Sequence, residues 1–140
     1  MLIFVGMIEF LPSDFHSKGM LKVHLIFVTR FRRTCLVGDK ASQCKEILEN
    51  IAVQHGWKIL KMETDKDHVH ILLSYPPTDS ISNIVRILKQ QSTYWMWERY
   101  EGDLRKLYWY QNTLWSKGYF YCSIGDVSSE IIERYIANQG

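Results

Sequence analysis

The sequence predicts an α+β domain, with an antiparallel sheet in the order β-α-β-β-α-β and one further helix at the C-terminus. Two patterns support this fold class: short segments rich in β-branched and aromatic residues, and longer segments with apolar residues at helical spacing. The composition agrees, because 46% of the 140 residues are hydrophobic and 23% are charged, as in ordinary globular proteins. No internal repeat or low-complexity tract divides the chain.

The first elements are a strand and a helix. Residues 22–29 (KVHLIFVT) predict a strand that is buried on both faces, because its apolar residues are nearly continuous. Residues 40–55 have apolar side chains at helical spacing and predict a helix. Asp39 is the expected N-cap of this helix, and Gly56 is the expected stop signal.

Two strands and a long helix follow. Residues 57–64 and 68–75 predict strands joined by a short polar link, and the two prolines after Tyr75 end the second of them. Ser80 is the expected N-cap of a helix that runs to about Tyr100.

The C-terminal part supplies one more strand and one more helix. Residues 101–117 predict an irregular aromatic segment, and residues 118–123 predict the fourth strand. The last helix is expected to begin at Asp126 or Ser128. The complete order is that of the split β-α-β, ferredoxin-like fold with one added helix. In this topology the first and third strands lie in the centre of the sheet.

The N-terminal residues and the cysteines bear on domain limits and compartment. We expect residues 1–19 to form a loosely held extension and residues 20–140 to form the single domain. The apolar run over residues 1–11 is interrupted by Glu9, is too short to span a bilayer and lacks the pattern of a signal peptide. The three cysteines form no C-x-x-C pattern. We therefore expect a cytoplasmic protein that uses its thiols as small core residues.

Charge is distributed unevenly along the chain. Seventeen Lys and Arg against fifteen Asp and Glu leave a net charge of +2, which does not by itself indicate nucleic-acid binding. Residues 18–34, however, contain five basic residues and no acidic one. Such a basic strip either binds phosphates or forms an ordinary solvated surface.

Two histidines in one predicted strand form a candidate metal site. His68 and His70 are two residues apart, so their side chains project from the same face of the strand. This geometry suits chelation of one divalent ion, although a surface strand can carry two histidines by chance. Glu63, Asp65 or Asp67 offers a carboxylate to the ion or to a histidine. The more ordinary interpretation is that these two aspartates build the turn.

The last predicted helix carries a second pair of polar residues. Tyr135 and Gln139 are four residues apart and therefore lie on one face of the helix. A tyrosine in this position commonly rims a core. Tyrosine is also a covalent nucleophile where a neighbouring group neutralises the phosphate that it attacks.

Four segments in order carry a resemblance to a known family. HLIFVTRFRR, DHVHILLSYPP, LWSKGYF and ERYIANQ together resemble the single-tyrosine transposases of the smallest prokaryotic insertion sequences. These enzymes belong to the HUH superfamily, which is named for its His-hydrophobic-His motif. The resemblance covers residues 20–139, and the fold that it implies is the ferredoxin-like one.

The resemblance implies a mechanism and a set of site residues. His68, His70 and Gln139 match the ligands of one Mg²⁺ or Mn²⁺, and Tyr135 matches the nucleophile. The implied substrate is single-stranded DNA folded into hairpins at the ends of the element. The tyrosine forms a 5′-phosphotyrosine link and frees a 3′-hydroxyl. The implied assembly is a homodimer in which the tyrosine helix of one subunit can serve the histidines of the other.

Several other residues are candidate DNA contacts. Five basic residues are expected to contact phosphates without reading sequence: Arg30, Arg32, Arg33, Arg86 and Lys89. Four aromatic residues near the end of the long helix offer stacking surfaces, although such a cluster is more typical of a core or a dimer interface: Tyr94, Trp95, Trp97 and Tyr100.

Other functions remain open at this point. A non-catalytic nucleic-acid-binding module is the main alternative, but the aromatic string of RNA-recognition domains is absent from the sequence. A metal-binding regulator leaves Tyr135 unexplained. Replication initiators and relaxases of the HUH group arrange their tyrosine and histidines in a different order. A domesticated HUH nuclease that acts on palindromic repeats is a further alternative.

Overall fold

The computed structural model describes residues 19–122 and 129–139. The strands are β1 (Leu21–Val28), β2 (Lys58–Asp65), β3 (His68–Tyr75) and β4 (Phe120–Cys122), and the helices are α1 (Asp39–Gln54), α2 (Ile81–Leu107) and α3 (Ser129–Ala137). A short 3-10 turn, Arg30–Arg32, follows β1. The predicted order of elements is confirmed. The predicted extension over residues 1–19, and the caps expected at Asp126 and Ser128, lie outside the described residues except for Gly19.

All neighbouring strands are antiparallel, and their order across the sheet is β2-β3-β1-β4. The two central strands are therefore β1 and β3, as predicted. They pair along their whole length, from Leu21 opposite Tyr75 to Val28 opposite His68. By contrast, β4 pairs with β1 over three residues only.

The two faces of the sheet bury different cores. Alternate residues of β1 and β3 lie with α1 and α2 in the main hydrophobic core, among them Leu25, Phe27 and Ile71. Ile26 and Val28 point to the opposite face and pack against Ile136 of α3, with Phe120 and Tyr135 alongside. Both faces of the C-terminal half of β1 are thus buried, as its sequence predicts.

The long helix differs from the prediction. Ser80 is its N-cap, as expected, and accepts a 3.2 Å hydrogen bond from the amide of Asn83. The helix does not end at Tyr100, however. Tyr100 departs from helical geometry (φ −133°, ψ 36°), and the helix then continues to Leu107. The last turns persist because Leu104 is buried in the core and the Arg105 guanidinium lies 4.5 Å from the Trp97 ring.

Two further boundaries are corrected. The N-cap of α1 is Gly38 (φ 56°). Asp39 lies in the first turn, where its carboxylate interacts favourably with the positive end of the helix dipole. β4 begins at Phe120, because Gly118 and its neighbour are outside the ladder. The other predicted strands and α1 agree with the structure to within one residue at each end.

Two of the three cysteines are part of the main core. The buried Cys35 and Cys44 are free thiols in the main core, and burial raises the pKa of Cys44 to about 12. They are small core residues, as predicted.

Among the described residues, no helix is long and apolar enough to cross a membrane.

Candidate active site

The histidines lie on the sheet face that α3 covers. His68 is opposite Val28 on β1 and Asp65 on β2, and His70 is opposite Ile26 and Glu63. Residues directly opposite in an antiparallel pair share a face. Both histidines therefore project from the face of the smaller core, where their side chains are half-buried. This arrangement follows the spacing seen in the sequence.

Asp67 fixes the ring of His68. The Nδ1 atom of His68 is 3.0 Å from one carboxylate oxygen of Asp67, and the Nε of Arg32 donates to the other oxygen at 3.2 Å. The main chain of Asp67 is also held, because its carbonyl accepts a hydrogen bond from the amide of Thr29. Burial alone would raise the pKa of Asp67, but the hydrogen bonds from His68 and Arg32 lower it below its usual value.

The sequence had favoured a simple turn for both aspartates. That interpretation holds for Asp65, whose carboxylate accepts a hydrogen bond from the amide of Lys66. It is incomplete for Asp67, which lies in the same turn but is also buried and bonded to His68. A carboxylate on Nδ1 leaves the Nε2 atom of His68 to face a ligand, which is how proteins orient metal-binding histidines. On this observation His68 fits a divalent ion.

A third histidine was missed by sequence reasoning. The Nδ1 atom of His24 on β1 lies 3.0 Å from the Nε2 atom of His70. Burial lowers the pKa of His70, and the neighbouring His24 lowers it further. The neutral ring is the form that binds metals. A metal ion can bind the Nε2 atom of His70 only if it replaces the hydrogen bond between this atom and His24. One feature of the sequence points to His24: it occupies an alternate position of β1, and β1 is the strand next to β3.

Tyr135 and Gln139 have a different set of neighbours. A Cβ atom placed on Gly118 would lie 3.7 Å from the Tyr135 hydroxyl oxygen and 3.4 Å from the Gln139 side-chain oxygen. Ser116 donates a 3.3 Å hydrogen bond to that same Gln139 oxygen. Both side chains thus rest on the segment that precedes β4. We call residues 116–118 the seat of the tyrosine helix.

The Tyr135 hydroxyl is buried in this position. Its oxygen has no hydrogen-bond partner among residues 19–122 and 129–139. Burial raises the pKa of Tyr135 to about 12. The ring packs 5.6 Å from that of Phe120, centroid to centroid. In the seat, the phenol is therefore protonated at neutral pH and is a weak nucleophile.

The seat and the histidines lie on opposite sides of β1. His68 pairs with Val28 on the β3 side. On the other side, the amide of Ser116 donates to the carbonyl of Val28, and the β1–β4 register continues from Phe120 towards Gly118. The histidine strand and the seat are therefore two strand spacings apart, roughly 10 Å.

Within the described residues, no group of three His, Cys, Asp or Glu side chains could hold a metal ion.

The chain has clear relatives among known proteins. Residues 17–139 match the family described as transposase, IS200 like. The chain belongs to the IS200-like transposase family. This assignment confirms the resemblance to the single-tyrosine HUH transposases, and it means that the protein is a transposase that acts on DNA.

Individual relatives support the assignment. The transposase is 36% identical over 119 residues to the ISDra2 transposase TnpA of Deinococcus radiodurans, with 85% of this chain and 84% of that protein covered. It is 31% identical over 125 residues to the transposase for insertion sequence element IS200 of Salmonella typhimurium, with 89% and 80% covered.

Solved structures agree with the fold. A crystal structure of a candidate transposase from Deinococcus radiodurans superposes with a TM-score of 0.82 at 30% identity, and covers 92% of this chain and 98% of that one. A structure of a REP-associated tyrosine transposase bound to a REP hairpin has a TM-score of 0.54 at 14% identity, with 83% and 62% covered. The second likeness concerns the fold alone.

The expected DNA-contacting residues of the transposase fall into two places. Arg30, Arg32 and Arg33 follow β1 at the end where His68 lies, and Arg32 is bonded to Asp67. Arg86 and Lys89 are on α2, beside a groove of about 840 Å³ between this helix and residues 112–117. The structure therefore brings only the first three close to the histidines.

Lys89 has a structural role as well. Its ammonium group donates to the carbonyls of Ser116, Lys117 and Gly118 at 2.7, 3.2 and 3.0 Å. Burial lowers the pKa of Lys89 to about 8, while the three carbonyl acceptors favour the charged form. Lys89 thus holds the seat in place. Its expected contact with DNA stays a prediction.

The seat generates a test of where Tyr135 rests. Gly118→Leu should displace the tyrosine ring, because the side chain beyond Cβ has no room under Tyr135 and Gln139. The pKa of Tyr135 then falls from about 12 towards its usual value, and more phenolate forms near pH 8. Nitration by tetranitromethane, which needs phenolate, should therefore reach Tyr135 in the variant and not in the wild type. Peptide mass spectrometry locates the nitrated residue.

Gly118→Ala is the matched control, because a bare Cβ makes ordinary contacts at 3.4 and 3.7 Å. Tyr121, which is exposed on β4, should be nitrated in all three proteins. Equal nitration of Tyr135 in wild type and Gly118→Leu would contradict the buried position.

Proposed function

We propose that this transposase cleaves and rejoins single-stranded DNA at hairpin-flanked element ends through a covalent tyrosine–DNA link. One observation carries the proposal: the sheet face that presents His68 and His70 is the face against which the Tyr135 helix packs. Hairpin DNA is the proposed substrate because a transposase of similar fold, the REP-associated one, is bound to a REP hairpin. Such a reaction takes place where the DNA is, in the cytoplasm.

The proposed step is a transfer of one phosphoryl group. The Tyr135 phenol gives up its proton, and its oxygen forms a bond to the phosphorus of the scissile phosphodiester. The bond from phosphorus to the 3′-oxygen breaks, and that oxygen takes up a proton. The products are a 5′-phosphotyrosine and a free 3′-hydroxyl. Rejoining is the reverse reaction with the 3′-hydroxyl of another strand.

His68 and His70 are the proposed metal-holding residues, with Gln139 completing the site. A bound Mg²⁺ or Mn²⁺ would stabilise the charge that develops on the phosphate and would orient the scissile bond. Asp67 keeps the His68 ring in the required orientation, with Arg32 neutralising the carboxylate. In this role Asp67 is a positioning residue.

We also propose a homodimer with shared active sites. In the described chain, Tyr135 and Gln139 rest on the seat, across β1 from the strand that carries His68 and His70. The Tyr135 hydroxyl is buried in the seat and therefore cannot reach a phosphate unless α3 moves. Delivery of α3 to the histidines of a second subunit would expose the hydroxyl without distorting the sheet.

The nucleophile is tested by a covalent adduct. Tyr135→Phe keeps the ring that packs on Phe120 and removes only the attacking oxygen. The variant should fold and bind a labelled hairpin like the wild type, yet form no covalent protein–DNA species on a denaturing gel. Tyr121→Phe, at an exposed tyrosine of β4, should form the adduct normally. An adduct mapped to a tyrosine other than Tyr135 would refute the assignment.

The histidines are tested by separating binding from cleavage. His68→Ala and His70→Ala should each lower the single-turnover cleavage rate by at least about 100-fold, while hairpin affinity changes little. His55→Ala is the matched control, because His55 is exposed at the end of α1. Raising the Mn²⁺ concentration should partly restore the activity of His70→Ala. Normal cleavage by either variant at limiting metal would remove the histidines from the mechanism.

Shared sites are tested by mixing two inactive variants. A dimer of His70→Ala with Tyr135→Phe contains one site with both defects and one intact site, if each tyrosine serves the partner's histidines. Mixing equal amounts should therefore restore about a quarter of the wild-type sites, because half of the dimers are mixed. If each tyrosine serves its own histidines, mixing restores nothing. A monomeric mass by light scattering in an active preparation would also exclude sharing.

A further inference from the structure

Three exposed aromatic side chains form a continuous patch beside the 3-10 turn. The exposed fractions are 50% for Phe31, 76% for Trp109 and 42% for Tyr110. The ring centroids of Phe31 and Tyr110 are 6.2 Å apart, and those of Trp109 and Tyr110 are 5.7 Å apart. We call these three residues the aromatic platform. A single exposed aromatic residue is ordinary, but a contiguous patch marks a surface that binds something.

The backbone that carries Phe31 is strained. Phe31 has φ 57° and the next residue, Arg32, has φ 53°. Left-handed geometry is uncommon outside glycine and is most unfavourable for bulky residues. Two such residues in a row persist only where the surrounding structure imposes them, and they concentrate at ligand-contacting positions.

Buried hydrogen bonds hold both parts of the platform together. The hydroxyl of the buried Tyr108 donates to the carbonyl of Arg30 at 2.7 Å, which ties the turn to the end of α2. The amide of Arg30 donates to the carbonyl of Leu114 at 2.8 Å. Tyr108 directly precedes Trp109 in the chain. The platform is therefore preformed and does not depend on a ligand to assemble it.

The platform lies next to the candidate active site and is basic. Arg32, which follows Phe31, reaches His68 through Asp67. The Arg30 guanidinium lies 5.3 Å from the Phe31 ring, and its Nε atom is buried with no acceptor among the described residues. Arg33 is exposed on the same turn. Flat apolar rings interleaved with guanidinium groups match the two components of an unpaired DNA strand, its bases and its phosphates.

We propose that the aromatic platform binds unpaired nucleobases of single-stranded DNA by stacking, next to the phosphate presented to His68. This proposal rests on the proposed single-stranded substrate. Bases within a duplex are already stacked on each other, so the platform selects strands with free base faces. The arginines of the turn contact the adjoining phosphates. Stacking on the platform would hold the DNA strand next to the phosphate that is cleaved.

The test compares a DNA strand that has bases with one that lacks them. The probes are a fluorescein-labelled thymidine oligonucleotide of about twelve nucleotides and the same backbone with abasic spacers. Binding is followed by fluorescence anisotropy. Trp109→Ala should weaken binding of the thymidine strand by about tenfold, the scale of one lost stacking contact, and leave the abasic strand unchanged. Phe31→Asn should act in the same way, and asparagine tolerates the left-handed backbone, so folding is preserved.

Controls separate stacking from charge and from folding. Tyr121→Ala removes another exposed aromatic ring, 55% exposed on β4, and should bind both strands like the wild type. Trp109→Tyr should restore most of the affinity, because a tyrosine ring also stacks. The dependence of affinity on salt should be unchanged in Trp109→Ala but weaker in Arg33→Ala, since only the arginine neutralises phosphate.

The outcomes are distinct. Equal loss of affinity for both strands in Trp109→Ala, or no loss for either, would overturn the platform. So would a loss of affinity that follows dissociation of a dimer by light scattering, because the patch would then be an interface between copies of the chain. A wild-type protein that binds neither strand contradicts the proposed function itself. A wild-type protein that binds both strands equally contradicts only the platform.

Discussion

The antiparallel pairing of β1 with β3 is the constraint on which the rest of the structure depends. Side chains alternate between the two faces of a strand, so one register assigns every residue to a face. In the observed register, Phe27 and Ile71 enter the main core while His68 and His70 face α3. A shift by one residue would bury the histidines and expose the core. The main core is therefore formed only in the register that also places His68 and His70 on the face towards α3.

The pairing of β1 with β3 also brings the turn that follows β1 next to the candidate site. Thr29, which follows β1, donates a hydrogen bond to the main chain of Asp67, which precedes β3. The next residues form the strained turn whose Arg32 neutralises Asp67. The buried carboxylate is tolerable because two donors satisfy it. One side chain, Asp67, thus links the orientation of His68 to the position of the basic, aromatic turn.

The sequence predicts what depends on periodicity and misses what depends on tertiary contacts. Runs of β-branched and aromatic residues were enough to predict β1 and β3, and strand alternation was enough to predict the shared face of His68 and His70. The sequence predicts that α2 ends at about Tyr100, but burial of Leu104 carries the helix further, to Leu107. The ion pair of Arg32 with Asp67 and the bond between His24 and His70 join separate segments of the chain. Spacing within one segment carries no information about them.

The stability of each element bears on the proposed exchange of α3 between subunits. It has nine residues, below the length at which a helix is stable alone, so packing must hold it. That packing is the smaller core around Ile26, Val28 and Ile136, next to a strand of three paired residues. The histidines, in contrast, are on a central strand paired along both edges. Elements with few buried contacts open at lower free energy than core strands. An exchange of α3 between subunits would therefore move the nucleophile while leaving the histidines and Asp67 in place.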